Sequence, residues 1–249
     1  MSQIDRSFVG EGIIYARKYQ SQDALIDIGN CDTFTLAYTV NRVTLPNFRG
    51  GGGNRNGRNP VTDVQATIGM YDITAENLAR VTRSTLSAVP TTAIVDQPLI
   101  SGGVEGELIP FKYLPDLSKP VAVKGADDGV LEPGADYLLT PHGVIVTGSS
   151  KITAAGIKAS YTPLAQTAVQ MLNGIEGEFE LYIAGLNDAQ SGEPFSLRPR
   201  RMKFGTIAQL PIFGTEYLKL EAPGELLADP LVLSNDISKF CQMDIVKAA

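Results

Sequence analysis

"TFTLAYTVNRVTL", residues 33–45, alternates without a break. Phe34, Leu36, Tyr38 and Val40 fall on one side, and Thr33, Thr35, Ala37, Thr39 and Asn41 on the other. Period two with β-branched and aromatic side chains predicts a strand with one apolar and one wet face. A second stretch, "VTDVQATIGMYDI", repeats the pattern, with Val64, Ala66, Ile68 and Met70 set against Asp63, Gln65, Thr67 and Gly69. Long alternating strands belong to antiparallel sheets that leave one face to water.

What joins these two strands is unusual. Asn47, Phe48, Arg49, Gly50, Gly51, Gly52, Gly53, Asn54, Arg55, Asn56, Gly57, Arg58, Asn59 and Pro60 form an arm with three arginines, four consecutive glycines and no acid. It is far longer than a hairpin turn requires. The rest of the chain is acidic, with a net charge of −6 over 249 residues. Ordering such an arm costs about 1–2 kcal/mol per residue. Arginine forks suit acidic partners, and the natural acidic partner is a second copy of the chain.

Beyond the second strand the period changes. In "DITAENLARVTRSTL", Thr74 suits an N-cap and Glu76 the positive first turn, which predicts one helix over Ala75–Leu86. Residues 121–162 read as a small inserted β module punctuated by Asp127-Asp128-Gly129, Pro133-Gly134 and His142-Gly143. The core is then 1–120 with 163–249, carrying the long loop 47–60. Late strands are expected in "FELYI", in "RRMKFGTIAQL", in "TEYLKLEA" with Leu218, Leu220 and Ala222 inward, and in "CQMDIV" with Cys241, Met243 and Ile245 inward. The expected class is mainly β: a sandwich of two antiparallel sheets, one flanking α-helix and the inserted module.

Chemistry is sparse. The single histidine, His142, sits in a turn, and one histidine with two distant cysteines does not make a usual zinc site. Ser-His-Asp catalysis would need His142, and there is no GxSxG elbow. "GGNRNGR", residues 52–58, has phosphate-loop spacing but offers Arg58-Asn59 where Lys and Ser/Thr are needed. No catalytic, cofactor or metal residues are therefore assigned, and the chain is not expected to be an enzyme. The acidic balance argues against gripping nucleic acid. Cys31 and Cys241 read as small buried apolar groups rather than a disulfide, in keeping with a reducing compartment. The N-terminal stretch has no signal-peptide pattern and no apolar run is long enough to span a membrane.

Several segments taken in order resemble the major tail tube protein of long-tailed, siphovirus-like bacteriophages. They are "GEGIIYAR", "DALIDIGNCDTFTLAY", the glycine arm, "DITAENLARVTRSTL", "FELYIAGLNDAQSGEPF", "RPRRMKFG" and "LKLEAPGELLADP". The resemblance covers about Gly10 to Asp244 and lies in order and spacing rather than in one motif. It implies a tail-tube-type sandwich whose copies form hexameric rings stacked into a tube, the conduit for genome delivery into the host. It places the chain in the virion tail, assembled in the bacterial cytoplasm. Partners would be other copies and the tape measure, tail terminator and distal tail proteins, with DNA passing through unbound. The loop 47–60 would strap one subunit or ring to the next, and a non-contractile tail is favoured. Glu178 and Glu180 are candidates for the lumen face, with a solvated outer face as the alternative. A carbohydrate-binding or adhesive β-sandwich of a virion is the competing function.

Overall fold

A computed structural model describes residues 6–246. In chain order the elements are β1 (Gly10–Lys18), β2 (Ile26–Asp27), β3 (Cys31–Val40), β4 (Val43–Pro46), β5 (Asn54–Arg58), β6 (Val61–Met70) and α1 (Ala75–Thr82). There follow β7 (Thr85–Ala88), β8 (Ile94–Leu99), β9 (Leu108–Pro110), β10 (Ala122–Gly125), β11 (Tyr137–Thr140), β12 (Gly143–Val146), β13 (Ile157–Tyr161) and β14 (Thr167–Gln170). The chain ends through β15 (Glu178–Asn187), β16 (Glu193–Pro199), β17 (Met202–Phe204), β18 (Leu220–Leu226) and β19 (Cys241–Ile245). The protein is mainly β, its sheets antiparallel, with one α-helix among the described residues.

Two compact units divide the chain. The first comprises residues 6–85 and 169–246. Apart from the β4–β5 and β7–β14 pairs, its sheet strands belong to one nine-stranded network rather than two separate sheets. The strand β15 is the reason. It pairs with β1 from Phe179 to Asn187, and on its other side with β17 at Glu178–Phe179 and then with β16 from Ile183 to Asn187. The sheet therefore forks at β15. One arm continues through β17, β18 and β6 to β3, the other through β16 to β19.

Both arms contribute to one core. Leu181 and Ile183 of β15, Ile68 and Met70 of β6, Leu220 and Ala222 of β18, and Val81 of α1 are buried together. Burying each of the larger side chains is worth roughly 1.5–3 kcal/mol. The predicted inward faces hold along β6 and β15. They hold only in part on β3 and β19. On β3, Phe34 and Leu36 pack against the core while Tyr38 is 60% exposed and Val40 is open to solvent; on β19, Cys241 packs against it while Met243 and Ile245 are exposed, Ile245 to 61%, so each of these edge strands runs on past the core.

The helix starts as its sequence predicts and stops sooner. The Thr74 hydroxyl accepts the Asn77 N–H at 3.1 Å, and Glu76 occupies the first turn. Arg83 then adopts left-handed backbone (φ 48°) and donates its N–H to Ala79, which ends the helix at Thr82; Leu86, expected in the helix, lies in β7.

The second unit is Leu86–Ala168, wider than the 121–162 expected from the sequence. The boundary moves because β8 pairs with β13 and β9 pairs with β12. Its two three-stranded sheets, β10-β13-β8 and β11-β12-β9, enclose a separate core containing Ile109, Phe111, Val123, Val144, Ala159 and Tyr161. Phe111 and Tyr161 stack there at 4.6 Å.

Candidate assembly surface

The arm between β3 and β6 is a built hairpin, not a slack loop. After the β3–β6 ladder ends, Asn41 donates to the Pro60 carbonyl at 3.0 Å and the chain carries on into β4 and β5. Val43 faces Arg58, Thr44 faces Gly57 and Leu45 faces Asn56, with a bulge before Pro46 reaches Asn54. The second half of the arm, Asn54–Arg58, is thus a strand. The segment with phosphate-loop spacing lies in a hairpin and does not open a helix.

At the tip, Asn47 takes the place of missing ladder bonds. Its backbone N–H donates to Gly53 (3.0 Å), its side-chain amide donates to the Gly50 carbonyl (2.7 Å), and its amide oxygen accepts the Arg49 N–H (3.0 Å). Gly50, Gly51, Gly52 and Gly53 have φ of 88°, 82°, 69° and 74°. A side chain at any of the four would meet nothing within 4 Å, so backbone conformation, not space, selects glycine.

Charge and apolar surface are both displayed on this hairpin. Val43, Leu45 and Phe48 are exposed, Phe48 to 83%. Arg42, Arg49, Arg55 and Arg58 are exposed and form no salt bridge among the described residues. Other arginines of this unit are engaged. Arg17 donates to Glu180 at 2.8 Å, and Arg201 grips Glu178 with both fork nitrogens, at 2.8 and 2.7 Å. The Arg201 fork is the main reason the Glu178 carboxyl titrates below its usual range. Arg83 and Lys203 both bridge to Glu176. Glu178 and Glu180, candidates for the lumen face on the sequence, are each paired with an arginine beside them.

The free sheet edges are the part that sequence reasoning missed. The strands β3 and β19 terminate the two arms of the fork, each with a row of backbone donors and acceptors facing no other strand. Alternation identified both strands but could not tell an edge from a centre, since the neighbours come from distant sequence. Edges of this length invite pairing with another chain.

The other sequence candidates do not converge. His142 is exposed in the turn between β11 and β12, where its N–H donates to the Thr140 hydroxyl. Cys31 and Cys241 are half-buried free thiols, both raised above the usual range by burial; Cys31 reaches about 11, with Asp27, Asp72 and Asp32 adding to the effect. No group of metal-ligating side chains occurs among the described residues, and no helix there is long and apolar enough to cross a membrane.

The family model described as "Protein of unknown function UCP028589" matches residues 7–244. The chain belongs to that family. The match takes in β1 through most of β19 and so both compact units. No curated protein matches the chain.

Proposed function

We propose that this chain is a structural virion protein, the major tail tube protein of a long-tailed bacteriophage. Its copies form hexameric rings, and stacked rings make the conduit for the genome. The forked sheet around a single core is read as the tail-tube-type sandwich with α1 at its flank. The observation that carries the proposal is the hairpin at Val43–Arg58, which presents three unpartnered arginines and an exposed Phe48, with a fourth unpartnered arginine, Arg42, just before it, from an otherwise acidic chain. A monomer gains nothing from such an arm. An assembly gains charge-assisted hydrogen bonds and an apolar anchor.

The free edges of β3 and β19 support the same reading. They are different surfaces, so their pairing between copies is head-to-tail, and a head-to-tail contact closes into a ring when its rotation allows. Ring closure would remove both edges. DNA would pass through without specific binding, repelled on average by six copies of a chain of net charge −6. Glu178 and Glu180 remain candidates for the lumen face, with Arg17 and Arg201 reducing what they add to that field. Tape measure, tail terminator and distal tail proteins would be the further partners, in a tail assembled in the host cytoplasm.

Negative-stain electron microscopy of the purified chain tests this. Hollow rings or tubes are expected. A persistent monomer that binds sugars would replace the proposal with an adhesive β-sandwich.

A further inference from the structure

The β3–β6 ladder has two ends of opposite charge. At the Val40–Val61 end it leads into the arginine hairpin, and no acid occurs from Thr33 to Thr62. At the Cys31–Met70 end, roughly 30 Å away for ten residues of strand, the chain turns back through Ile28–Asn30 and Tyr71–Asp72.

That second end is rigidly built and acidic. Asp27 accepts the Gly29 N–H at 2.8 Å, and Asp72 accepts the Asn30 N–H at 3.0 Å. Beneath them the buried Asn77 amide donates to the carbonyls of Ile28 and Asp72 at 2.7 and 2.8 Å, tying both turns to the start of α1. Asp32 alongside is already paired with Lys219 at 2.7 Å. Asp27 and Asp72 are exposed and meet no cation among the described residues. Their charge is felt locally, since it helps raise the Cys31 thiol.

We propose that the arginine hairpin of one copy seats on the Asp27–Asp72 end of a second copy, joining copies head to tail along the β3–β6 direction. This rests on the tube reading above and names the surface that the strap engages. The occupant is a second copy because the complement in sign is carried by the chain itself. The same molecule cannot satisfy it, because the ladder holds its own two ends apart. From Val43 to the Asn47–Gly53 closure the hairpin spans about 14 Å of paired strand, which sets Phe48 and Arg49 at its tip, clear of the β3–β6 ladder.

The test combines charge removal with charge exchange. Asp27→Asn with Asp72→Asn keeps an oxygen to accept the Gly29 and Asn30 N–H groups and removes both charges. This variant should keep its circular dichroism spectrum while sedimentable polymer falls about tenfold or more. Arg49→Glu with Arg55→Glu and Arg58→Glu should block assembly likewise. Mixing that chain with a folded Asp27→Lys, Asp72→Lys chain should restore copolymer. Polymer at wild-type yield from the Asp27→Asn, Asp72→Asn chain, with wild type assembling normally, overturns this contact and leaves the tube reading standing. A wild-type chain that never assembles overturns both.

Discussion

Asn77 has little apolar surface to bury, yet it is 1% exposed. Its amide is fully used, donating to the Ile28 and Asp72 carbonyls and accepting from Arg80. Asn77→Ala would leave two carbonyls without partners in the core and should destabilise the first unit by about 2–4 kcal/mol, measured by chemical denaturation. Asp136 plays a comparable part in the second unit. Its carboxylate accepts the N–H groups of Glu132 and Lys151, both at 2.9 Å, and these bonds hold its titration below the usual carboxylate range. A depressed folded pKa means the stabilisation is present above the unfolded value of about 3.9 and is lost as pH falls through the folded one. Thermal unfolding of residues 86–168 should therefore drop below about pH 4, and Asp136→Asn should flatten that drop. Sequence alone announced Thr74 and Glu76, because helix caps are local. It did not announce Asn77 or Asp136, whose partners are set by turns that only the folded chain brings near.

Among elements, the hairpin is where local chemistry and assembly separate most cleanly. Changing Gly50–Gly53 to alanine forces four residues out of a left-handed conformation that costs about 1–2 kcal/mol each. No other atoms would be struck, so the tip should refold while the melting temperature of the unit stays put. Replacing Arg49, Arg55 and Arg58 together by alanine should likewise leave the circular dichroism spectrum unchanged. Sedimentation should then show tubes weakened or absent, and normal tubes from that triple variant would remove the strap from the account. Periodicity found β3, β6, β15 and β18 because each alternates over most of its length. It passed over β8, where Pro98 and the left-handed Asp96 (φ 48°) interrupt the pattern, and β5, which lay in the arm, and it ran β4 together with β3 as one strand. The inward face assigned to β19 fails at Met243 and Ile245 for a different reason: alternation says which residues share a face, while the layer packed against that face, drawn from distant sequence, decides how far along the strand it is covered.

At the scale of the whole molecule, the division into units follows strand pairing rather than composition. The chain leaves the first unit at Thr85, whose N–H and hydroxyl both donate to the Asn173 side chain, at 3.2 and 2.8 Å. Those bonds bring the points of exit and return close together within that unit. Deleting residues 86–168 with a short flexible bridge should leave it folded, as judged by a cooperative melt and resistance to limited proteolysis. An insoluble product would make the second unit part of the same folding core. Mainly β character was legible in the sequence. The fork at β15 was not, because one strand there serves three partners drawn from both ends of the chain. The direction of the β3–β6 ladder, with cations beyond one end and acids at the other, has a kinetic consequence as well. A polymer built on it would present two chemically different tips, one of bare arms and one of bare receptors. Subunits would add at unequal rates to the two, and a soluble peptide copying residues 43–58 would poison only the tip that offers acids.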